Sequence, residues 1–171
     1  MFRPYGTDSD AGFSPVLRKG VIANSVVATV GDSVKLASGF VALGTTGASV
    51  MGHIDAIVSA DGIQMITNGA GGAMRLTHTV ASDNQTVAKI AAKVNVSKLT
   101  LYSGEVDATI GTTTGSNLAG YFMDLADEES LDEGTATATA AQYRTHGLDA
   151  NDSSRAVVSI YESSEFGPLS A

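Results

Sequence analysis

The chain has 171 residues, a formal net charge of −8, no cysteine and no tryptophan. Disulfide staples and thiolate metal sites are thereby excluded, and an acidic chain without a Lys/Arg cluster repels a phosphate backbone, so nucleic acid is not an expected partner. No stretch approaches the roughly 18 apolar residues of a membrane span, and the start MFRPYGTDSD lacks a basic region followed by an apolar core, so a soluble protein without a membrane partner is expected.

Residues 1–17 hold two of the three prolines and follow neither the helical nor the strand period. They read as an extended N-terminal arm that buries little against its own domain and is either a frayed terminus or a segment that orders on a neighbouring subunit. Its Phe2, Arg3, Tyr5 and Phe13 are the candidate interface residues, because aromatics and arginine are enriched at interface hot spots. Residues 18–171 read as a single β-domain, a length that buries about two thirds of the unfolded surface in one core.

The organising stretch is 21–80, where short β-branched runs alternate with Gly31, Gly39, Gly44, Gly62 and Gly69. Strands are expected at 19–30, 34–36 and 40–43, with Ser38-Gly39 as a tight hairpin turn. An antiparallel meander is expected at 53–59, 63–67 and 74–80. The cluster Gly69-Ala70-Gly71-Gly72 reads as a wide hairpin loop, since Met74 stands where a dinucleotide fingerprint has its third glycine and no helical pattern follows. Between 87 and 96 helical and strand periods compete; the alternation of Ala88, Ile90, Ala92, Val94 and Val96 accounts for more positions and predicts one long strand to Leu101, bulged at Ser97-Lys98.

Further strands are expected at 105–110 after a turn at Ser103-Gly104, at 119–125, through the small-residue alternation at 135–141 to His146, and at 155–162. The whole is all-β, a single antiparallel β-barrel or β-sandwich; alternation reports a buried face and not closure. The acidic excess lies late, with 5 basic and 12 acidic residues in 86–171 against 5 and 6 in 1–85.

Chemistry-bearing patterns are sparse. The acidic run 124–133 and the run 149–154 lack the spacing of a calcium loop. His53, His78 and His146 stand apart from one another and from other ligand types, so no metal site is expected. No Gly-x-Ser-x-Gly elbow occurs, and Glu105 with Asp107 lacks the aromatic groove that holds sugar. No catalytic residue, cofactor or enzymatic activity is expected.

Two blocks carry a resemblance. The first is the Gly-punctuated series from Lys19 through Gly31-Asp32-Ser33-Val34-Lys35-Leu36 to Gln64. The second runs from Lys93 through Leu99-Thr100-Leu101-Tyr102-Ser103-Gly104 and Gly120-Tyr121-Phe122-Met123-Asp124-Leu125 to Arg155 and Gly167. In these the chain resembles the head-decoration, or cement, proteins of tailed bacteriophages. The resemblance implies a non-enzymatic virion protein on the outer surface of the capsid. Its partner would be the major capsid protein, and it would form a homo-oligomer, a dimer or trimer. The alternative from the same composition is a carbohydrate- or surface-binding β-domain of a phage fibre or adhesin.

Overall fold

Glycines and short polar turns cut the chain into strands too short to form one extended sheet, and the strands curl into two rings instead. The computed structural model describes residues 2–7, 16–59, 77–107, 120–132 and 141–161. Along these run β1 (Arg3–Thr7), β2 (Leu17–Val21), β3 (Val27–Thr29), β4 (Ser33–Ala37), β5 (Phe40–Leu43), β6 (Gly52–Ser59) and β7 (Thr77–Thr79). A single helical turn α1 (Asn84–Val87) precedes β8 (Ile90–Asn95), β9 (Thr100–Val106), β10 (Phe122–Leu125), β11 (Ser130–Asp132), β12 (Tyr143–Asp149) and β13 (Asp152–Ile160). The fold is all-β, as expected, and its pairings are antiparallel but for the two contacts noted below.

In the first ring β2 pairs with β8, β8 with β6, β6 with β4 and β4 with β5. A parallel bridge between Ile22 and Val41, with the Ala23 N–H donating to the Val41 carbonyl at 2.8 Å, returns the order to β2. In the second ring β9 pairs with β13, β13 with β12, β12 with β10 and β10 with β11. β11 then pairs in parallel with β9, and the Asp107 N–H donates to the Leu131 carbonyl at 2.9 Å. Taken in chain order within each ring, the strands follow the same circuit: first to fifth, fifth to fourth, fourth to second, second to third, and third to first in parallel.

The registers agree as well as the order. Gly20 faces Ala92 in the first ring and Gly104 faces Ala156 in the second. The fourth strand carries a bulge at the same place in each, between Ile54 and Ala56 in β6 and between Thr145 and Gly147 in β12. Each ring also has its own apolar interior. Ile22, Val34, Val41, Ile54 and Val94 fill the first, and Val106, Met123, Leu125, Leu131 and Val158 the second. The described residues thus form two five-stranded rings of one design, with β3, β7 and α1 added to the first.

The Ser38-Gly39 hairpin is present: Ala37 pairs with Phe40, and the two turn residues have φ of 49° and 83°. Other boundaries differ from expectation. The strand expected at 19–30 breaks at Asn24-Ser25, where Ser25 has φ 58°, into β2 and β3. The long bulged strand is two strands in different rings. The phase change at Ser97-Lys98 is a turn, tied by the Ser97 N–H to Asn95 Oδ1 at 3.0 Å, through which the chain leaves the first ring for the second. The helical period that competed there is realised only in α1, which ends at Ala88 in the left-handed conformation. Ser103-Gly104 is not a turn but the middle of β9. In place of the expected meander, β6 lies between β4 and β8, and β7 pairs with β3. The expected elements at 63–67 and 69–72, and most of that at 135–141, lie outside the described residues.

Glycine at 20 and 104 has a packing cause. A Cβ at Gly20 would lie 2.6 Å from a Val41 methyl, and one at Gly104 would lie 2.6 Å from the Phe2 ring and 2.8 Å from a Leu131 methyl. Val41 and Leu131 occupy the same place in their rings. Gly20→Ala and Gly104→Ala should each lower stability by about 1–3 kcal/mol through overpacking, read as a shifted midpoint in chemical denaturation at unchanged slope; an unmoved midpoint in either would contradict the shared packing.

Candidate functional site

The two rings meet at a buried aromatic junction. His53, on β6, pairs in register with Ser33 of β4, and Tyr143 opens β12 of the other ring. The Tyr143 hydroxyl lies 3.0 Å from His53 Nε2 and 2.8 Å from Ser33 Oγ, so one hydroxyl bonds two groups of the neighbouring ring. The Tyr102 ring packs 3.9 Å from the imidazole, centroid to centroid, and the Phe2 ring lies 4.5 Å from it while stacking on Tyr143 at 5.3 Å. Around this centre the Ser33 N–H donates to the Glu128 carbonyl at 2.8 Å, Gln142 Nε2 to the Thr45 carbonyl at 2.9 Å, and Thr46 Oγ1 to the Leu125 carbonyl at 2.6 Å.

The electrostatics are those of a neutral core. Burial pushes His53 down to about 3 and drives the Tyr143 and Tyr102 hydroxyls upward, since a low-dielectric setting disfavours each charged form. Ser33, Tyr143 and His53 form a hydroxyl–hydroxyl–imidazole series. A base held near 3 is poorly matched to proton abstraction at neutral pH, and all three side chains are buried. Such a series is suited to joining surfaces.

A pocket of about 150 Å³ opens beside the junction, lined by Phe2, Val30, His53, Asp55, Asn95 and Tyr102. Asp32, in the tight turn before β4, accepts the Thr29 N–H at 2.7 Å. Burial, reinforced by Glu129 and Glu128 and opposed by the Thr29 bond, pushes its carboxyl up to about 7. Across the second ring, Arg155 Nε donates to Ser103 Oγ at 2.8 Å, and Ser103 Oγ donates to Asp149 at 2.5 Å. Both contacts hold β13 and the β12–β13 turn to β9.

The four candidate interface residues separate. Phe2 is 1% exposed, Arg3 and Tyr5 are exposed on β1, and Phe13 lies outside the described residues. The expectation that the arm buries little against its own domain is corrected. Residues Arg3–Thr7 pair antiparallel with β9, and the Phe2 N–H donates to the Gly31 carbonyl at 3.2 Å, because the gap over Gly104 admits an aromatic ring. The acidic run 124–133 is described through Asp132: Asp127 accepts the Glu129 and Ser130 N–H groups and the Ser130 hydroxyl, which holds its carboxyl below the usual range against a desolvation that raises it. Among the described residues no group of three His, Asp or Glu side chains is placed to hold a metal ion, and no helix is long and apolar enough to cross a membrane.

Sequence reasoning singled out none of His53, Tyr143, Tyr102 and Ser33 as a group. The one available signal was a lone imidazole in the apolar run 50–58, a pattern that reads equally as a pocket or surface histidine. Comparison with known proteins found no matching family model, no matching curated protein and no matching solved structure.

Two outcomes follow for stability. Phe2→Ala should cost about 3–5 kcal/mol, as for other buried aromatics cut to alanine; a loss under 1 kcal/mol in denaturant unfolding would show that the ring does not fill the junction. Asp32, with a folded value of about 7 against an ordinary 3.8, contributes stability that is full below pH 4 and is lost as pH rises through 7. Relative to the parent, Asp32→Asn should therefore gain in melting temperature from pH 4 to pH 8. A difference independent of pH would contradict the buried carboxyl.

Proposed function

We propose that the protein is a non-enzymatic virion component that binds the outside of a tailed phage's major capsid protein shell and stabilises the expanded head. The observation that carries this reading is the resemblance of the two strand-and-turn blocks, which together span most of the chain, to head-decoration proteins. The geometry is compatible with it. Two rings with separate cores, joined by a buried aromatic junction in which the Tyr143 hydroxyl bonds both His53 and Ser33, form a body of the kind that repeated interfaces require. A protein that binds only the expanded lattice stabilises it by mass action, copy by copy.

Within this reading Arg3 and Tyr5 remain candidate contacts with the shell or with a neighbouring copy in a dimer or trimer. Both are exposed on β1, the terminal strand of its sheet among the described residues, with Tyr5 43% exposed. Phe2 acts by fixing that strand in place. Tyr5→Ala should leave the melting temperature within a few degrees of the parent and weaken attachment to heads.

The test is co-sedimentation of the purified protein with undecorated expanded heads and with unexpanded procapsids. Saturable binding to expanded heads alone, at a fixed ratio to the major capsid protein, is expected. Absence of binding to both would reject the reading.

A further inference from the structure

The bulged residue of the fourth strand is used differently in the two rings. In β6 the register passes from Ile54 to Ala56, so Asp55 has no residue of β8 opposite it, and a bulge of this kind re-aims a side chain. The corresponding residue of β12, His146, is tied back to its own sheet, its Nε2 lying 2.9 Å from Ser159 Oγ. Asp55 is exposed, and among the described residues it makes no ion pair. It borders the pocket of about 150 Å³ beside the junction, which His53 and Ile54 line as well, although consecutive residues of a regular strand face opposite ways.

The pocket draws on the arm and on both rings, through Phe2, Val30, the three residues of β6 and Tyr102 of β9. Three aromatic rings thus share one lining with an exposed carboxylate. Burial keeps the imidazole neutral, so His53 brings no positive charge to the pocket. The Asp55 charge reaches this lining, since it adds to burial in driving the Tyr102 hydroxyl upward. Two further acceptors of the lining are already engaged: the Gly31 carbonyl takes the Phe2 N–H at 3.2 Å, and Asn95 Oδ1 takes the Ser97 N–H at 3.0 Å.

These features select an occupant. An anion is repelled by Asp55 and by a chain of net charge −8. A metal ion finds a single carboxylate where hard cations gather several oxygens. A primary ammonium brings three N–H donors to a lining made chiefly of rings and aliphatic carbons. A quaternary ammonium carries its charge without a donor to satisfy, and aromatic rings attract it. A pocket of this volume admits a group of about six heavy atoms.

We propose that the junction pocket binds a small quaternary ammonium group, held against the Phe2 and Tyr102 rings with the Asp55 carboxylate as its counter-ion. The site is independent of the capsid reading, and its test uses the protein alone.

The experiment follows backbone amide shifts by NMR during titration with tetramethylammonium chloride and, separately, with tert-butanol, a neutral group of similar size and shape. Ionic strength is held constant with sodium chloride. Saturable shifts centred on residues 30–31, 53–55, 95 and 102 are expected with the cation, which should bind at least about threefold more tightly than the alcohol. In Asp55→Asn the cation should lose at least about threefold in affinity while the alcohol binds as it does to the parent. Shifts that do not saturate with the cation, or equal affinity of the parent for both probes, would overturn the proposal. So would an Asp55→Asn protein that keeps the preference or loses both probes alike. Should that variant not fold, the comparison of the two probes on the parent decides.

Discussion

The structure depends on keeping one imidazole uncharged. His53 sits where two rings of strands meet, and its neutrality lets Phe2, Tyr102 and Tyr143 close around it without an ion to solvate. A protonated imidazole there would lose hydration that its aromatic neighbours do not return. The single hydroxyl of Tyr143, bonded to both His53 and Ser33, gives the contact its register. Phe2 packs on His53 and Tyr143 from the side and carries β1 into place along β9. The arm is therefore part of the junction, and only Arg3 and Tyr5 are left facing outward among its described candidates.

Around this junction one architectural plan is used twice. In each ring the first strand meets the fifth at a Gly/Ala pair and the third in parallel, and a side chain of the third strand fills the space over the glycine. Five short strands can close only if that inner corner is small, which explains why Gly20 and Gly104 tolerate no Cβ. The rings then diverge where they must. Gly52 stands in the first ring where Tyr143 stands in the second, and there a Cβ would collide with the Asn95 carbonyl. The second ring also has its first strand, β9, paired with β1.

The all-β class, the Ser38-Gly39 hairpin and the strands near 40–43, 53–59, 122–125 and 155–160 were legible because alternation and turn chemistry are local. The doubling was not. Between the two rings few counterparts coincide in identity, among them Leu17/Leu101, Gly20/Gly104, Leu36/Leu125, Ala92/Ala156 and Val94/Val158, since the plan needs small or branched residues at given places and not particular ones. The break between β8 and β9 was hidden for a related reason: a change of phase reads alike whether the strand bulges or leaves for another sheet. Ser103-Gly104 read as a turn because a glycine demanded by close packing and one demanded by positive φ look the same in sequence. The junction was illegible because its members, at positions 2, 33, 53, 102 and 143, are brought together only by ring closure.

The most direct test of this account is an NMR titration of the His53 ring nitrogens between pH 8 and pH 5. A neutral imidazole with unchanged nitrogen shifts across that range is predicted, since burial holds the group near 3. A midpoint near the ordinary 6.5 would mean that the ring is hydrated, and the close packing of the junction around His53 would not exist in solution.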